Sequence, residues 1–88
     1  MEISFEKQGA TWVAQFEVPG DFNLHLERSS GGVLKVYQRG CSSGEYELAY
    51  TAVPDKIIDR DFGALVYPKY IKVSSGSEVV KGVVTFAE

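Results

Sequence analysis

The side chains of this chain that could do chemistry are few, and the first is its single histidine. His25 stands between Asn23 and Glu27 in an alternating run, so the three side chains would share the polar face of a strand. A neighbouring carboxylate favours the charged form of an imidazole. General-base catalysis also needs a nucleophile or a substrate cleft beside the histidine. The sequence therefore predicts a solvated strand histidine, with a catalytic base as the alternative.

A second group of chemical interest consists of Asp55, Asp59 and Asp61. Asp59 and Asp61 would project from one face of an extended segment, and carboxylates are ligands that calcium prefers. Arg60 stands between them, however, and the glycine and terminal glutamate of a helix–loop–helix calcium loop are missing. We therefore expect no metal ion and no cofactor. The preferred interpretation is a charged edge strand that resists edge-to-edge aggregation, and a calcium site is the alternative.

The single cysteine, Cys41, lies in the glycine-containing stretch 40–44. A catalytic thiol needs a base, and His25 is the only histidine that could serve it. The two glycine-rich turns, 29–32 and 40–44, lack the lysine and the following helix of a phosphate-binding loop. One cysteine also excludes an internal disulfide. These patterns predict a protein that is not an enzyme.

Aromatic side chains provide the best indication of a binding surface. Tyr37, Tyr67 and Tyr70 fall where the alternation does not direct them inward, and Arg39 and Lys69 lie beside them. Tyrosine and arginine are favoured at protein interfaces, and aromatic rings can also stack on sugars. Tyrosine is equally a preferred strand residue, and cross-strand aromatic pairs stabilise a sheet by about 0.2–1 kcal/mol. These five residues are the candidate surface for a protein partner or a glycan.

Composition limits the class of protein further. The chain has 88 residues, 44% of them hydrophobic and 24% charged, which predicts one globular domain, residues 1–88. A net charge of -3 with scattered lysines and arginines argues against a nucleic-acid partner. No stretch approaches the about 20 apolar residues of a membrane span. Residues 1–7 lack the apolar run of a secretory signal, so we expect a cytoplasmic location, with virion association as an alternative.

The elements that must position these residues are short strands. Apolar and polar residues alternate with a period of two, interrupted by Gly, Pro, Asn or Ser. The predicted strands cover residues 2–7, 11–18, 22–27, 33–39, 45 to about 54, 56–62, 69–74 and 79–87. About seven to eight short strands predict an all-β, single-domain antiparallel β-sandwich, immunoglobulin-like or jelly-roll-like, with a small barrel as the alternative.

Six local features refine this prediction. The turn at residues 19–21 predicts a hairpin between the second and third strands. Segment 56–62 is expected at an edge, and 62–68 is expected to hold a helical turn or a crossover. Leu34 and Val36 should face the core, and Val80, Val84 and Phe86 should share a face. Gly82, within the last strand, indicates a bulge or a close backbone approach.

The run Tyr67–Val73 resembles the late strand of discoidin-like and related jelly-roll carbohydrate-binding modules, and it carries over no binding residue. In size, acidity and strand content the chain also resembles small accessory structural proteins encoded in phage and prophage clusters. The function expected is a non-catalytic structural or interaction module that docks to its own copies or to a larger assembly. The alternative is a small carbohydrate-binding module that uses surface tyrosines.

Overall fold

The computed structural model of the chain describes residues 1–40, 44–52, 56–62 and 69–86. These ranges contain eight strands: β1 (Glu6–Gln8), β2 (Thr11–Val18), β3 (Phe22–Arg28), β4 (Leu34–Arg39), β5 (Glu47–Ala52), β6 (Ile57–Phe62), β7 (Lys69–Ser75) and β8 (Val79–Phe86). The predicted turn or crossover at 62–68 falls almost wholly outside the described residues.

The strands form two antiparallel sheets. One sheet has five strands in the order β1-β2-β7-β4-β5, and the other has three in the order β6-β3-β8. The prediction of an all-β antiparallel protein is confirmed. The described strands make two open sheets and not a closed barrel, so the barrel alternative is wrong. The prediction that segment 56–62 is an edge strand is confirmed by the position of β6.

The predicted hairpin between β2 and β3 does not form. β2 pairs with β1 and β7, whereas β3 pairs with β6 and β8. The turn at residues 19–21 therefore carries the chain from one sheet to the other. The reason is that Val18 and Phe22, on either side of the turn, both lie in the shared core. Each strand buries its apolar side against the opposite sheet, which a flat hairpin would not allow.

The core is built equally from both sheets. The five-stranded sheet contributes Val18, Leu34, Val36, Ile71 and Val73, and the three-stranded sheet contributes Phe22, Leu24, Leu26, Ile58 and Val84. The prediction that Leu34 and Val36 face the core is confirmed. Because side chains alternate along a strand, burying these residues sends their neighbours to the two outer faces.

The last strand departs from simple alternation. Val80 is 64% exposed, whereas Val84 is fully buried, so the prediction that they share a face is wrong. The reason is a shift of register between Glu27 and Arg28, which pair with Lys81 and Val79 and leave Val80 as an extra residue. The bulge predicted from Gly82 therefore lies two residues before it.

The close approach predicted at Gly82 is also present. The amide of Ile3 donates to the Gly82 carbonyl at 3.0 Å, and the amide of Val84 donates to the Met1 carbonyl at 2.8 Å. Residues 1–3 thus run along the outer edge of β8. The predicted first strand, residues 2–7, is divided between the two sheets, because β1 begins only at Glu6 and pairs with β2.

Candidate functional site

The outer face of the five-stranded sheet brings together aromatic and cationic side chains. Burial of Val36, Ile71 and Val73 directs Tyr37 and Arg39 of β4, and Tyr70 and Lys72 of β7, to the opposite face. The two strands are neighbours in register, with Tyr37 paired to Lys72 and Arg39 paired to Tyr70. Tyr46, just before β5, contacts Arg39 and Lys72 of this group. All five side chains are half-buried.

Cations and rings are interleaved on this face. The guanidinium carbon of Arg39 lies 4.4 Å from the ring centroid of Tyr46 and 5.4 Å from that of Tyr70. The Lys72 ammonium lies 5.5 Å from the Tyr37 ring and 5.6 Å from the Tyr46 ring. All four distances are within the about 6 Å range of cation–π attraction. We call these residues, Tyr37, Arg39, Tyr46, Tyr70 and Lys72, the tyrosine–cation surface.

Arg39 is fixed by more than its aromatic neighbours. Its Nη1 donates to the carbonyl oxygen of Gly44 at 3.0 Å, which ties β4 to the segment that precedes β5. Its Nε is buried and has no hydrogen-bond partner among the described residues. The guanidinium therefore sits between two rings with a fixed orientation, and its conformational entropy is already reduced before any partner arrives.

Two open depressions border the tyrosine–cation surface. One, of about 260 Å³, is lined by Gln15, Phe16, Glu17, Arg39, Tyr46 and Tyr70. The other, of about 380 Å³, is lined by Thr11, Val33, Lys35, Tyr37, Ser74 and Gly76. The tyrosine–cation surface is therefore an uneven sheet face with shallow depressions rather than a closed pocket.

The structure brings together three of the five surface residues predicted from the sequence. Tyr37, Arg39 and Tyr70 lie together on the outer face, whereas Tyr67 and the side chain of Lys69 lie outside the described part of the chain. Sequence reasoning missed Lys72, although its alternation with Ile71 and Val73 was a usable signal. It also missed Tyr46, whose place next to Arg39 depends on a register shift between Val36 and Tyr37.

The outer face of the three-stranded sheet carries a hydrogen-bonded acidic network. His25 Nδ1 lies 3.0 Å from Asp59 Oδ2, and His25 Nε2 lies 3.0 Å from Glu27 Oε2. Asn23 Nδ2 donates to Oδ1 of Asp59 at 2.8 Å and to Oδ1 of Asp61 at 2.9 Å. Two side chains of β3 therefore hold the carboxylates of β6. We call Glu27, Asp59 and Asp61, with His25 and Asn23, the acidic face.

These hydrogen bonds shift the titration of the groups that make them. Hydrogen bonds to Glu27 and Asp59 raise the pKa of His25 above its ordinary value of 6.5. The hydrogen bond from His25 lowers the pKa of Glu27. The Asn23 amide, followed by His25, lowers the pKa of Asp59. The expectation that a neighbouring carboxylate favours the charged imidazole is consistent with this geometry.

Of the three aspartates that the sequence groups together, Asp59 and Asp61 share one face as predicted, and Asp55 lies outside the described residues. Within the described ranges, no group of three or more His, Cys, Asp or Glu side chains is arranged to hold a metal ion. Cys41 also lies outside them. Arg60 points to the inner side of edge strand β6, with its guanidinium carbon 4.4 Å from the Tyr50 ring.

Comparison with known proteins identifies no relative. No protein-family model matches this chain, and neither a curated protein nor a solved structure matches it significantly. In the part of the chain that the structure describes, no helix has the length and apolarity needed to cross a membrane. Function must therefore be argued from the surfaces themselves.

Proposed function

We propose that this protein is a non-catalytic structural or interaction module, and that its tyrosine–cation surface docks onto a protein. The proposal includes a β-sandwich of immunoglobulin-like or jelly-roll-like type, which the equal contribution of two open sheets to one core supports. It also includes a role as an accessory component of a larger assembly, of the kind found in phage or prophage particles.

The observation that carries this proposal is the interleaving of Arg39 and Lys72 with Tyr37, Tyr46 and Tyr70 on one sheet face. Tyrosine and arginine dominate the binding energy of many protein interfaces. Because these side chains already hold one another, a partner would order fewer of them on binding. The two cations favour a partner surface that carries carboxylates.

The environment of His25 supports a non-catalytic role. Both ring nitrogens are within hydrogen-bond distance of carboxylates, Asp59 on one side and Glu27 on the other. A general base needs a free nitrogen that faces the proton to be removed. Here the imidazole instead joins β3 to β6 on an open sheet face.

A carbohydrate-binding module is the second candidate, and the depression beside Tyr46 and Tyr70 favours it. Gln15 and Glu17 line that depression and could bind sugar hydroxyl groups. However, the guanidinium of Arg39 lies 4.4 Å from the Tyr46 centroid and occupies one face of the ring on which a sugar would stack. We therefore place the protein partner first.

The test is affinity capture from lysate of the cells that make the protein, with three baits: wild type, Lys72→Glu and Lys56→Glu. Lys56 lies in the bend before β6, outside the tyrosine–cation surface, so it is the matched charge reversal. We expect proteins, further copies of this chain included, that wild type and Lys56→Glu retain and Lys72→Glu loses. Equal capture by all three baits, or by none, would contradict the proposal. A glycan-array signal that is lost on substituting Tyr46 would favour the carbohydrate-binding module.

A further inference from the structure

The two outer faces of the molecule differ in their balance of charge. On the five-stranded sheet, Lys35, Arg39 and Lys72 lie on the neighbouring strands β4 and β7, and two acids share that face, Glu6 on β1 and Glu17 on β2, where Glu17 pairs with Tyr70. On the three-stranded sheet, Glu27, Asp59 and Asp61 lie together, joined by Glu2 beside Val83 and opposed by Lys81. The surface that favours carboxylates is therefore on one side of the molecule, and a surface of carboxylates is on the other.

We propose that the partner of the tyrosine–cation surface is the acidic face of a second copy of this chain, so that copies stack head to tail. The inference rests on the proposed function and names its partner. Because the two faces are different, each contact leaves one face of each kind free at the ends of the stack. Such heterologous contacts produce open chains or closed rings, which suits a component of an assembly.

The groups on the acidic face are suited to this contact. Asn23 and His25 hold the β6 carboxylates in place, so that little side-chain entropy is lost on binding. A carboxylate offers about four acceptor positions, and these hydrogen bonds use only part of them. The planar guanidinium of Arg39 and the ammonium of Lys72 are the matching donors.

Copies could alternatively associate by strand addition, but two of the four edges of the described sheets are unsuited to it. Residues 1–3 cover β8, through the hydrogen bond from Ile3 to Gly82. The edge strand β6 carries three consecutive charged residues, 59–61, which discourage pairing with another strand. The molecule measures 33 × 27 × 20 Å, so a whole face is of the same order as the about 800 Å² that each partner buries in a standard interface.

Complementary variants test the inference, with Lys72→Glu altering the tyrosine–cation surface and Asp61→Lys altering the acidic face. Light scattering after size exclusion should show that wild type associates as its concentration rises in low salt, and less so in high salt. Each variant alone should associate at least about tenfold more weakly. An equal mixture of the two should associate again, because an unaltered tyrosine–cation surface can then meet an unaltered acidic face. A contact that uses one face twice would instead be weakened by only one of the two variants.

Matched controls are Lys56→Glu and Glu78→Lys, which make the same charge changes in the bend before β6 and the turn before β8. They should associate as wild type does.

Thermal melts show whether each variant folds. If Lys72→Glu does not fold, Arg39→Gln is used in its place. A monomeric wild type, or a mixture that stays monomeric, would overturn the head-to-tail contact. If wild type is monomeric and Lys72→Glu still loses captured proteins, only this inference fails. If Lys72→Glu changes neither association nor capture, the proposed function fails with it.

Discussion

Replacing Arg39 with methionine and Tyr46 with leucine, singly and together, measures the contact at the centre of the tyrosine–cation surface. The guanidinium carbon lies 4.4 Å from the ring centroid, and both side chains are half-buried. Cation–π pairs contribute about 0.5–1 kcal/mol when exposed and about 2 kcal/mol when desolvated. We therefore expect a coupling energy of about 1 kcal/mol between the two substitutions.

A double-mutant cycle is needed because Arg39 makes contacts besides the one with Tyr46. Its Nη1 donates a hydrogen bond to the Gly44 carbonyl, and its guanidinium carbon also lies 5.4 Å from the Tyr70 ring centroid. Both contributions change whenever Arg39 is replaced, whichever residue occupies position 46. They cancel in the cycle and leave the pairwise energy.

The assay is urea unfolding of wild type, the two single variants and the double variant. A control cycle combines Arg39→Met with Tyr50→Leu, because Tyr50 contacts Arg60 instead, also at 4.4 Å. The control substitutions should add within about 0.3–0.5 kcal/mol. If Arg39 and Tyr46 are equally additive, the ring and the cation do not hold each other, and the argument for a preformed surface is refuted.

Three further predictions concern the fold that carries the two faces. Gly82→Ala should lower the free energy of unfolding by about 1–3 kcal/mol, because its Cβ would lie 2.9 Å from Ile3 Cγ1; an unchanged melting temperature would contradict this. Leu24→Ala should lower it by about 2–5 kcal/mol in urea unfolding, since Leu24 is fully buried; a loss below about 1 kcal/mol would show that the core position is wrong. The raised pKa of His25 predicts stabilisation that is fully present below pH 6.5 and is lost as pH rises through the folded-state pKa. The stability advantage of wild type over His25→Gln should therefore shrink towards alkaline pH, and an advantage that grows there would contradict the network.

Strand positions could be read from the sequence where one face is buried and the other exposed. β2 matches the predicted 11–18, and β3 and β4 match within a residue, because their apolar residues recur at a period of two. Pairing could not be read in the same way. The turn at 19–21 specifies a reversal of the chain, but the choice between a hairpin and a change of sheet depends on where distant apolar faces meet.

In the candidate site too, the direction of each side chain could be predicted from the sequence, but the grouping of the side chains could not. The outward positions of Tyr37 and Tyr70 follow from local alternation with Val36 and Ile71. Their grouping depends on β4 and β7 being neighbours, although β5 and β6 separate them in the chain. Tyr46 reaches Arg39 only because the register of β4 and β5 shifts, which no local pattern indicates.

The central claim is that copies of this chain meet through the tyrosine–cation surface and the acidic face. The most direct measurement is a series of amide NMR spectra of the wild-type protein at increasing concentration in low salt. We predict that signals from Arg39 and Lys72 on one face, and from Asp59 and Asp61 on the other, move together. An unchanged spectrum, or changes confined to the open edge strands β1 and β5, would contradict the claim.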